Sequence, residues 1–315
     1  MPNYALLISP RADAAFFERA NDVAVAEISG VPGVSNVQLH EHGPMRFVHI
    51  DAAPETLPDL LRMSCVQGAF SIDKDALTPL DTAPAFHLHP DFVWGEKYRG
   101  KTNEPLTQLL INLALQQMPD KDPKSLRLLD PMCGRGTSLL WAMRYGISAT
   151  GIEQDATVLN DVQRGLKKWT KLHRQKHKLT DGWVQKANKA NAGKYLDFTT
   201  PDATLRLIVG DSVNTYDLTR RKQFDLLITD LPYGVQHMGG PGSRNPLETI
   251  KACAPGWAKA LSPGGAMVLA FNSYIPKRAD LIAAFDGLGL AAHPTDLAHR
   301  MSEAILRDVL VLRKS

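Results

Sequence analysis

Residues 126–140 have the sequence LRLLDPMCGRGTSLL, and this stretch decides the fold. An apolar strand leads into a tight turn that holds two glycines, and a helical pattern follows the turn. Glycine lets a ligand approach the backbone closely, and Thr137 and Ser138 are suited to cap the helix. A strand, a glycine turn and a helix in this order are typical of nucleotide-binding α/β sheets, although the motif alone also suits dinucleotide enzymes.

The chain around this stretch has the pattern of a parallel α/β sheet. From Lys101 onward, apolar strands alternate with helical segments, which favours a doubly wound, Rossmann-like sheet. The predicted strands are Leu126–Leu129, Ala149–Ile152, Leu205–Val209, Phe224–Thr229, Met267–Phe271 and Ile305–Leu312. Open α/β sheets bind ligands outside the carboxyl ends of their strands, so the residues that end these strands are the candidate site.

The first 85 residues follow a different order. Alternation and turn signals predict strands at Tyr4–Ser9, Val34–His40, Met45–Ile50 and near Ala69–Asp73, and helices at Ala12–Ile28 and Pro54–Met63. The order β-α-β-β-α-β is that of the ferredoxin-like unit. Prolines between Leu77 and Pro90 indicate a linker. We therefore predict a small ferredoxin-like α+β domain at 1–85 and the α/β domain at 86–315.

Acidic residues at the predicted strand ends select the class of cofactor. Asp130 would repel a pyrophosphate but attract the sulfonium and α-amino groups of S-adenosylmethionine, so this cofactor is favoured over NAD. Glu153 ends the next strand, where an acid can accept both ribose hydroxyls of either type of nucleoside. Asp211 follows the third strand, and there it can bind the exocyclic amine of adenine or, equally well, cap a helix.

Residues 224–234, FDLLITDLPYG, end the fourth strand and indicate the chemistry. The exocyclic amine of a nucleobase is a weak nucleophile because its lone pair is delocalised into the ring. A carboxylate and a carbonyl aimed at its hydrogens would favour attack on a methyl group, and Asp230 and the Leu231 carbonyl fit these roles. Pro232 stiffens the turn, and Tyr233 offers a flat face for a base. The same residues are good turn formers, but their place beside the cofactor strand favours the catalytic interpretation.

Four motifs together resemble one protein family. They are DPMCGRGT at 130–137, GIE at 151–153, GDS at 210–212 and DLPYG at 230–234. In combination they resemble the class I S-adenosylmethionine-dependent methyltransferases, specifically the THUMP-associated RNA guanine-N2 methyltransferases. Residues 98–106, YRGKTNEPL, are similar to the segment with which that family brackets the methionine end of the cofactor. The resemblance spans about residues 95–315, and no THUMP domain is recognisable in the first 85 residues.

The resemblance implies a fold, a cofactor and a set of site residues. It places the base at the predicted catalytic residues Asp230, Leu231, Pro232 and Tyr233. It places S-adenosylmethionine at Thr102, Asn103, Asp130, Met132, Cys133, Gly134, Gly136, Thr137, Glu153, Gln154, Asp211, Ser212 and Asp230. It also implies RNA as the partner, with tRNA favoured, and a small activating protein as a further partner because some relatives require one.

One stretch of the chain is strongly basic. The formal net charge is +3, yet residues 164–194 contain ten Lys and Arg against the single acid Asp181. A basic block on an acidic body suggests contact with a polyanion, although such faces are also commonly just solvated. We predict a basic helical insertion at about 164–200, with an exposed loop at 186–194. The predicted nucleic-acid contacts are Lys167, Lys168, Lys171, Arg174, Lys186 and Lys189.

These observations lead to one functional prediction and two rivals. We predict methyl transfer from S-adenosylmethionine to an exocyclic amine of a base in RNA, with N2 of guanine in tRNA as the target. The first rival is an adenine-N6 methyltransferase on DNA or RNA, since the Asp-x-Pro-Tyr turn serves any exocyclic amine. The second is a non-catalytic RNA-binding protein that retains the fold. No cysteine is placed as a nucleophile, so we expect direct transfer.

Composition limits the remaining possibilities. The chain is 44% hydrophobic and 22% charged, which fits globular domains. No apolar run is long enough for a membrane span and the first residues lack a signal-peptide pattern, so we expect no membrane association. The three cysteines form no CxxC and the ten histidines have no metal-ligand spacing. We therefore expect no disulfide framework, no metal and a cytoplasmic location.

Overall fold

The computed structural model describes residues 2–74, 76–98, 101–186, 189–232 and 246–315, without the side chains of 185–186 and 189–192. These residues form two compact units. The first contains Met1–Ala85 and Asp296–Asp308, and the second contains Phe86–Thr295 and Val309–Ser315. The segment 296–308, which the sequence assigns to the second domain, therefore groups with the first unit. No helix among the described residues has both the length and the apolar character that a membrane crossing requires.

The first unit is built on an antiparallel sheet. Its strands are β1 (Asn3–Ile8), β2 (Ser35–His42), β3 (Met45–Asp51), β4 (Val66–Asp73) and β5 (Ala76–Pro79), and its helices are α1 (Arg11–Phe16), α2 (Ala20–Ser29) and α3 (Leu57–Leu60). The sheet order is β2-β3-β1-β4-β5, and all neighbouring strands are antiparallel. The first four strands have the arrangement of the ferredoxin-like unit, which confirms the predicted class of this region.

Two details of the first unit differ from the predictions. The predicted helix Ala12–Ile28 is broken, because Phe17 has a positive φ of 50° and a short 3₁₀ turn separates α1 from α2. The break buries Phe16 completely and leaves Phe17 exposed. The start of the predicted linker is also wrong, since β5 pairs there with β4 and extends the sheet.

The second unit contains the large sheet. Its strands are β6 (Arg127–Asp130), β7 (Ser148–Glu153), β8 (Lys178–Lys186), β9 (Lys189–Thr199), β10 (Thr204–Val209), β11 (Phe224–Asp230), β12 (Leu261–Asn272) and β13 (Leu290–His293). The last two strands are β14 (His299–Ser302), whose residues group with the first unit, and β15 (Ile305–Lys314), whose residues group with the first unit up to Asp308 and with the second from Val309. The helices are α4 (Asp91–Trp94), α5 (Glu104–Gln116), α6 (Thr137–Arg144), α7 (Val158–Leu172), α8 (Thr215–Leu218), α9 (Leu247–Ala260) and α10 (Arg278–Ala283). The predicted doubly wound α/β class is confirmed, and a strand lies at each of the six predicted positions.

The strand order locates the switch point of this sheet. The order is β13-β15-β12-β11-β6-β7-β10-β9-β8, with β14 paired to β15. From β6 the chain moves outward through β7 to β10, and it then returns to the other side of β6 as β11, followed by β12. The central pairs β10/β7, β7/β6, β6/β11 and β11/β12 are all parallel. The winding therefore reverses between β6 and β11, which is where such sheets bind ligands.

Central strands of this sheet are buried on both faces. In β11 the side chains of residues 226–228 are fully buried, as are those of residues 266–271 in β12. Helix α5 packs against both strands. Continuous apolar runs of this kind are expected for parallel strands that helices cover on both sides. This burial explains why the strands could be recognised from sequence.

The basic insertion differs from the prediction. Helix α7 ends at Leu172, and the strands β8 and β9 that follow form a hairpin whose second strand pairs antiparallel with β10. The prediction of a helical insertion to residue 200 with a loop at 186–194 is therefore wrong. The alternating side chains Leu196 and Phe198 are buried, and the otherwise open edge of β10 supplies the pairing partner. Residues 187–188 lie outside the described part of the chain.

Candidate active site

The register of the sheet aligns the four predicted strand ends. Asp130 pairs with Gly151 of β7, and Glu153 at the end of β7 pairs with Val209 of β10. On the other side, Leu129 pairs with Leu227, so β11 continues to Asp230 beside the end of β6. Carboxylates thus follow four neighbouring strands at one edge of the sheet. Asp130 and Asp230 lie on the two sides of the switch point.

Asp130 is a buried carboxylate at the end of β6. It is 4% exposed, accepts a hydrogen bond of 3.0 Å from the amide of Met132 and accepts another from the Ser138 hydroxyl. Burial, with a smaller contribution from the nearby Asp230 carboxylate, outweighs these hydrogen bonds and raises the pKa of Asp130 to about 6. Among the described residues no cationic side chain forms an ion pair with Asp130, so a buried carboxylate here would favour a cationic ligand.

The turn after β6 follows the glycine pattern. Gly134 and Gly136 have positive φ angles of 51° and 77°, which a residue with a side chain rarely adopts. A Cβ atom on Gly134 would meet no atom of the described residues within 4 Å, so with respect to them this face of the turn is open. The opposite face is closed, since a Cβ on Gly151 would lie 2.5 Å from Cys133 Sγ. The turn therefore rests on β7 and presents its backbone outward.

Glu153 connects the end of β7 to this turn. Its Oε2 accepts a hydrogen bond of 3.0 Å from the amide of Gly134, and its Oε1 accepts one of 3.0 Å from the amide of Asp155. The carboxylate is partly exposed. A carboxylate has further lone pairs beyond these two bonds, so Glu153 retains the capacity to accept from ribose hydroxyls.

The residues after β10 have structural partners. Asp211 is exposed and accepts a hydrogen bond of 2.9 Å from the amide of Val213, so it caps the short 3₁₀ turn Ser212–Asn214. Ser212 Oγ accepts a hydrogen bond of 3.1 Å from the indole of Trp257. The capping interpretation of Asp211 is therefore confirmed. Adenine recognition by Asp211 and a cofactor contact by Ser212 stay predictions.

The segment before α5 is held at several points. Asn103 caps α5 by accepting a hydrogen bond of 3.1 Å from the amide of Leu106. Lys101 donates to the carbonyls of Val93 and Glu96 and to the carboxylate of Glu104. No sequence pattern singles out Lys101, because two of its three partners are backbone carbonyls whose position depends on the fold. Thr102 is partly buried, and residues 99–100 lie outside the described part of the chain.

Tyr98 links this segment to the helix that follows the glycine turn. Its hydroxyl lies 3.1 Å from Thr137 Oγ1, and the Arg135 guanidinium lies 4.7 Å from the centre of its ring. Arg135 also pairs with Asp161 at 2.9 Å. The sequence predicts that Thr137 belongs to the site. It does not reveal that Tyr98 contacts Thr137 and Arg135, because Tyr98 lies far from both along the chain.

The fourth strand end is described as far as Pro232. Asp230 is partly buried and Leu231 is 2% exposed. The amide of Leu231 donates a hydrogen bond of 2.8 Å to the carbonyl of Ala270, which fixes the backbone just after Asp230. Tyr233 lies outside the described residues, and so does the glycine-rich stretch 238–244.

The predicted nucleic-acid contacts on α7 and just after it differ in whether they already have an ion-pair partner. Lys167, Lys171 and Arg174 are exposed. Lys168 forms an ion pair of 2.9 Å with Glu96 and lies 4.1 Å from the centre of the Trp169 ring. The side chains of Lys186 and Lys189 lie outside the described part of the structure. Four of the six predicted contacts, Lys168 included, are therefore exposed cations on α7 and just after its end.

A histidine cluster lies outside the predicted site. Ligand atoms of His89, Asp91 and His173 lie within 4.8 Å of one another, and His173 Nε2 is 2.9 Å from Asp91 Oδ2. His89 Nδ1 accepts a hydrogen bond from the amide of Asp91 at 3.2 Å, and the two imidazole rings stack with centres 3.5 Å apart. Spacing along the chain could not reveal this group, because His173 follows Asp91 by a long interval.

Comparison with known families decides the class of the protein. The family described as RMKL-like, methyltransferase domain, matches residues 100–276, which is more than half of the chain. The chain belongs to this family. As a methyltransferase-domain protein with a doubly wound sheet, it is a class I methyltransferase whose methyl donor is S-adenosylmethionine, as the sequence predicts.

Solved structures with similarity to this methyltransferase include three from bacteria. TrmN from Thermus thermophilus has 18% identity and a TM-score of 0.47, and the match covers 89% of this chain and 59% of TrmN. This chain therefore matches about three fifths of the length of TrmN. The TehB-like SAM-dependent methyltransferase from Corynebacterium glutamicum has 16% identity and a TM-score of 0.40 over 65% of this chain and 85% of its own.

The magnesium protoporphyrin IX methyltransferase ChlM from Synechocystis has 13% identity and a TM-score of 0.45, over 71% of this chain and 92% of its own. No protein of curated function matches this methyltransferase.

The chemistry of the strand ends fits the cofactor of the family. The buried Asp130 carboxylate suits a cationic group, and the open face at Gly134 leaves room for a ligand against the backbone. Glu153 supplies a carboxylate at the end of the neighbouring strand. S-adenosylmethionine carries a positive charge, an α-amino group and ribose hydroxyls, so each of these features has a matching chemical group.

Proposed function

We propose that this methyltransferase modifies an exocyclic amine of a nucleobase in RNA, and that N2 of guanine in tRNA is the target. The observation that carries the proposal is the placement of two carboxylates on either side of the switch point. Asp130 ends β6 on the cofactor side, and Asp230 ends β11 on the other side. One carboxylate suits a cationic cofactor and the other suits the hydrogens of an amine.

On the cofactor side, Asp130 and Glu153 have different tasks. Asp130 orients the positively charged part of the ligand, because a buried carboxylate gains most from a cation. Glu153 accepts hydrogen bonds from the ribose while it holds Gly134 in place. When bound, S-adenosylmethionine supplies an electrophilic methyl group and keeps the electron pair of the carbon–sulfur bond that breaks.

On the substrate side, Asp230 and the Leu231 carbonyl accept hydrogen bonds from the two amine hydrogens. This arrangement turns the nitrogen lone pair out of the ring, so that it can form the new nitrogen–carbon bond. The amine then loses one proton, which Asp230 receives and passes to water. The hydrogen bond from Leu231 to Ala270 keeps this carbonyl and carboxylate in a fixed relation. Pro232 limits the turn, and Tyr233 provides a face for the extruded base.

Charge supports a polynucleotide substrate. Residues 164–194 carry ten basic side chains against one acid, and Lys167, Lys171 and Arg174 are exposed. Cations of this kind supply affinity for phosphates that does not depend on sequence. The motif resemblance to RNA guanine-N2 methyltransferases supports RNA and guanine. The buried free thiols of Cys65, Cys133 and Cys253 suit a reducing cytoplasm.

The experiment that tests this proposal follows the methyl group. The full chain is incubated with labelled S-adenosylmethionine and with tRNA, ribosomal RNA or DNA, and the products are digested to nucleosides and identified by mass. We expect label in N2-methylguanosine from tRNA. Label in N6-methyladenine would contradict the guanine assignment, and label in DNA alone would contradict the RNA assignment. Absence of label from all three polymers, with S-adenosylmethionine bound, would contradict the proposal as a whole.

A further inference from the structure

An exposed tryptophan lies on the hairpin β8/β9, at a position that the predicted function does not use. Trp183 is 48% exposed, whereas Trp141, Trp169 and Trp257 are buried. Directly opposite Trp183 in the hairpin lies Lys194, whose Nζ is 5.2 Å from the centre of the Trp183 ring. A large aromatic ring beside an exposed cation is the combination that binds unpaired nucleic-acid strands, because bases stack on the ring and phosphates pair with the cation.

The register places this pair at the same edge of the sheet as the carboxylates. Tyr195 of β9 pairs with Ile208 of β10, so Lys194 and Gly193 lie beside Val209, the last residue of β10. Val209 in turn pairs with Glu153. Gly193 also passes close to this strand end, since a Cβ atom there would lie 2.1 Å from the Val209 carbonyl oxygen. Trp183 and Lys194 are therefore level with Glu153.

Packing explains why the ring is exposed. Opposite residues of an antiparallel pair share a face, and alternate residues along a strand return to it. Leu196 and Phe198 follow Lys194 on its face at such alternate positions, and both are buried. This face of the hairpin is thus buried at Leu196 and Phe198 but exposed at Trp183, which lies on β8 opposite Lys194. An aromatic side chain that the core could have covered is left accessible at the site edge.

We propose that Trp183 and Lys194 form a docking platform for an unpaired segment of the RNA substrate, which rests on the proposed function. A base stacks on Trp183, and an adjacent phosphate pairs with Lys194. Three strand spacings separate β8 from β7, so the platform lies roughly 14 Å from Glu153 across the sheet. Trp183 therefore holds a base other than the target and positions the strand rather than taking part in methyl transfer.

Charge favours RNA as the occupant. Lys176, Lys178 and Lys194 are exposed, and Asp181 is the single acid in the basic stretch. A protein partner would be expected to cover a broader apolar area, whereas a nucleic-acid strand needs one stacking ring and cations along its backbone. Stacking is tolerant of sequence, so the platform can be tested with RNA that is not the natural substrate.

The test measures binding of a labelled single-stranded RNA of mixed sequence, about 20 nucleotides long, by fluorescence anisotropy with the full chain. Trp183→Ala is expected to weaken binding about tenfold or more, and Trp183→Phe is expected to retain most of the affinity because it keeps a stacking ring. Lys194→Gln is expected to lower the slope of log affinity against log salt by about 0.7.

Two control variants remove an exposed apolar side chain and an exposed cation at positions outside the platform. Met45→Ala removes an apolar side chain that is 50% exposed at the start of β3. Lys121→Gln removes an exposed cation that precedes β6, at the opposite edge of the sheet. Neither should change RNA affinity. Because Trp183 is exposed, its replacement is also expected to leave the thermal unfolding midpoint unchanged.

The outcomes separate this platform from the proposed reaction. Equal RNA affinity of Trp183→Ala and the unaltered chain would overturn the platform, as would equal weakening by Met45→Ala. RNA binding that depends on Trp183, in a chain that methylates no RNA, would support the platform and overturn the proposed function. Failure of the unaltered chain to bind RNA would overturn both. If both hold, Trp183→Ala should raise KM for RNA and leave kcat and KM for S-adenosylmethionine unchanged.

Discussion

The amide of Gly134 donates a hydrogen bond of 3.0 Å to Oε2 of Glu153. This bond ties the glycine turn after β6 to the end of β7. The same carboxylate accepts from the amide of Asp155, so Glu153 organises two loops at once. A residue that the sequence predicts to bind ribose thus also shapes the turn at which we propose that the cofactor binds.

Two substitutions of Glu153 separate these tasks. Glu153→Gln retains an oxygen acceptor for Gly134 but removes the charge and the acceptor for the Asp155 amide, so we expect S-adenosylmethionine affinity to fall roughly tenfold with a small decrease in the thermal midpoint. Glu153→Ala removes every acceptor and is expected to lower both the cofactor affinity and the thermal midpoint, the midpoint by more than Glu153→Gln does. Titration calorimetry and thermal unfolding measure the two effects. Equal cofactor affinity of Glu153→Gln and the unaltered chain would rule out the ribose role.

The raised pKa of Asp130 links stability to pH. The folded chain holds this proton more tightly than the unfolded chain, because burial raises the pKa of Asp130 to about 6. Its ionisation therefore costs stability that grows between about pH 4 and pH 6 and is complete above pH 6. Without cofactor, Asp130→Asn should be more stable than the unaltered chain at pH 7.5, by roughly 1–3 kcal/mol, and should gain little at pH 4.5.

Urea unfolding at the two pH values measures this difference. The same variant should bind S-adenosylmethionine more weakly, since the cationic ligand loses its buried partner. A variant that is destabilised equally at both pH values would show that Asp130 is a structural residue only.

Gly151 supports the glycine turn through the lack of a side chain. A methyl group at this position would lie 2.5 Å from Cys133 Sγ and 2.6 Å from Leu139 Cδ1. We expect Gly151→Ala to lower stability by about 1–3 kcal/mol and to weaken cofactor binding, because the turn must shift. The matched control is Gly165→Ala in α7, where, among the described residues, a Cβ would meet only the Glu96 side chain, at 3.7 Å and 4.0 Å. That change should raise stability by up to about 1 kcal/mol, because alanine favours a helix.

Charge reversal on α7 tests the predicted phosphate contacts. Changing Lys167, Lys168, Lys171 and Arg174 to Glu should weaken RNA binding and flatten its salt dependence. A variant that leaves Lys168 and its Glu96 ion pair intact should show most of this effect, because Lys168 is already engaged. Filter binding at several salt concentrations measures both the RNA affinity and its salt dependence. Unchanged affinity would show that this face is only solvated.

The central strands can be predicted from the sequence for a physical reason. Its strands are buried on both faces, so they appear as apolar runs such as residues 226–228, whatever their partners are. The polar residue that ends each run then marks the ligand edge. Asp130 and Asp230 could be found in this way because their positions follow from strand ends alone.

Features that depend on partners far away in the sequence cannot be predicted in this way. The hairpin β8/β9 is stabilised by the edge of β10, and the small and polar residues near its tip have the composition of a loop. The second role of Glu153 requires the amide of Gly134, which only the fold brings near. The hydrogen bond from Trp257 to Ser212 likewise joins residues far apart in sequence.

The measurement that tests the account most directly compares the unaltered chain with Asp230→Asn. Methyl transfer from labelled S-adenosylmethionine into tRNA is followed by nucleoside identification, and cofactor affinity is measured in parallel. We expect N2-methylguanosine from the unaltered chain, and a loss of about 10²-fold or more in kcat for Asp230→Asn with the cofactor still bound. Transfer at an equal rate by Asp230→Asn, or no transfer to RNA by the unaltered chain with cofactor bound, would contradict the account.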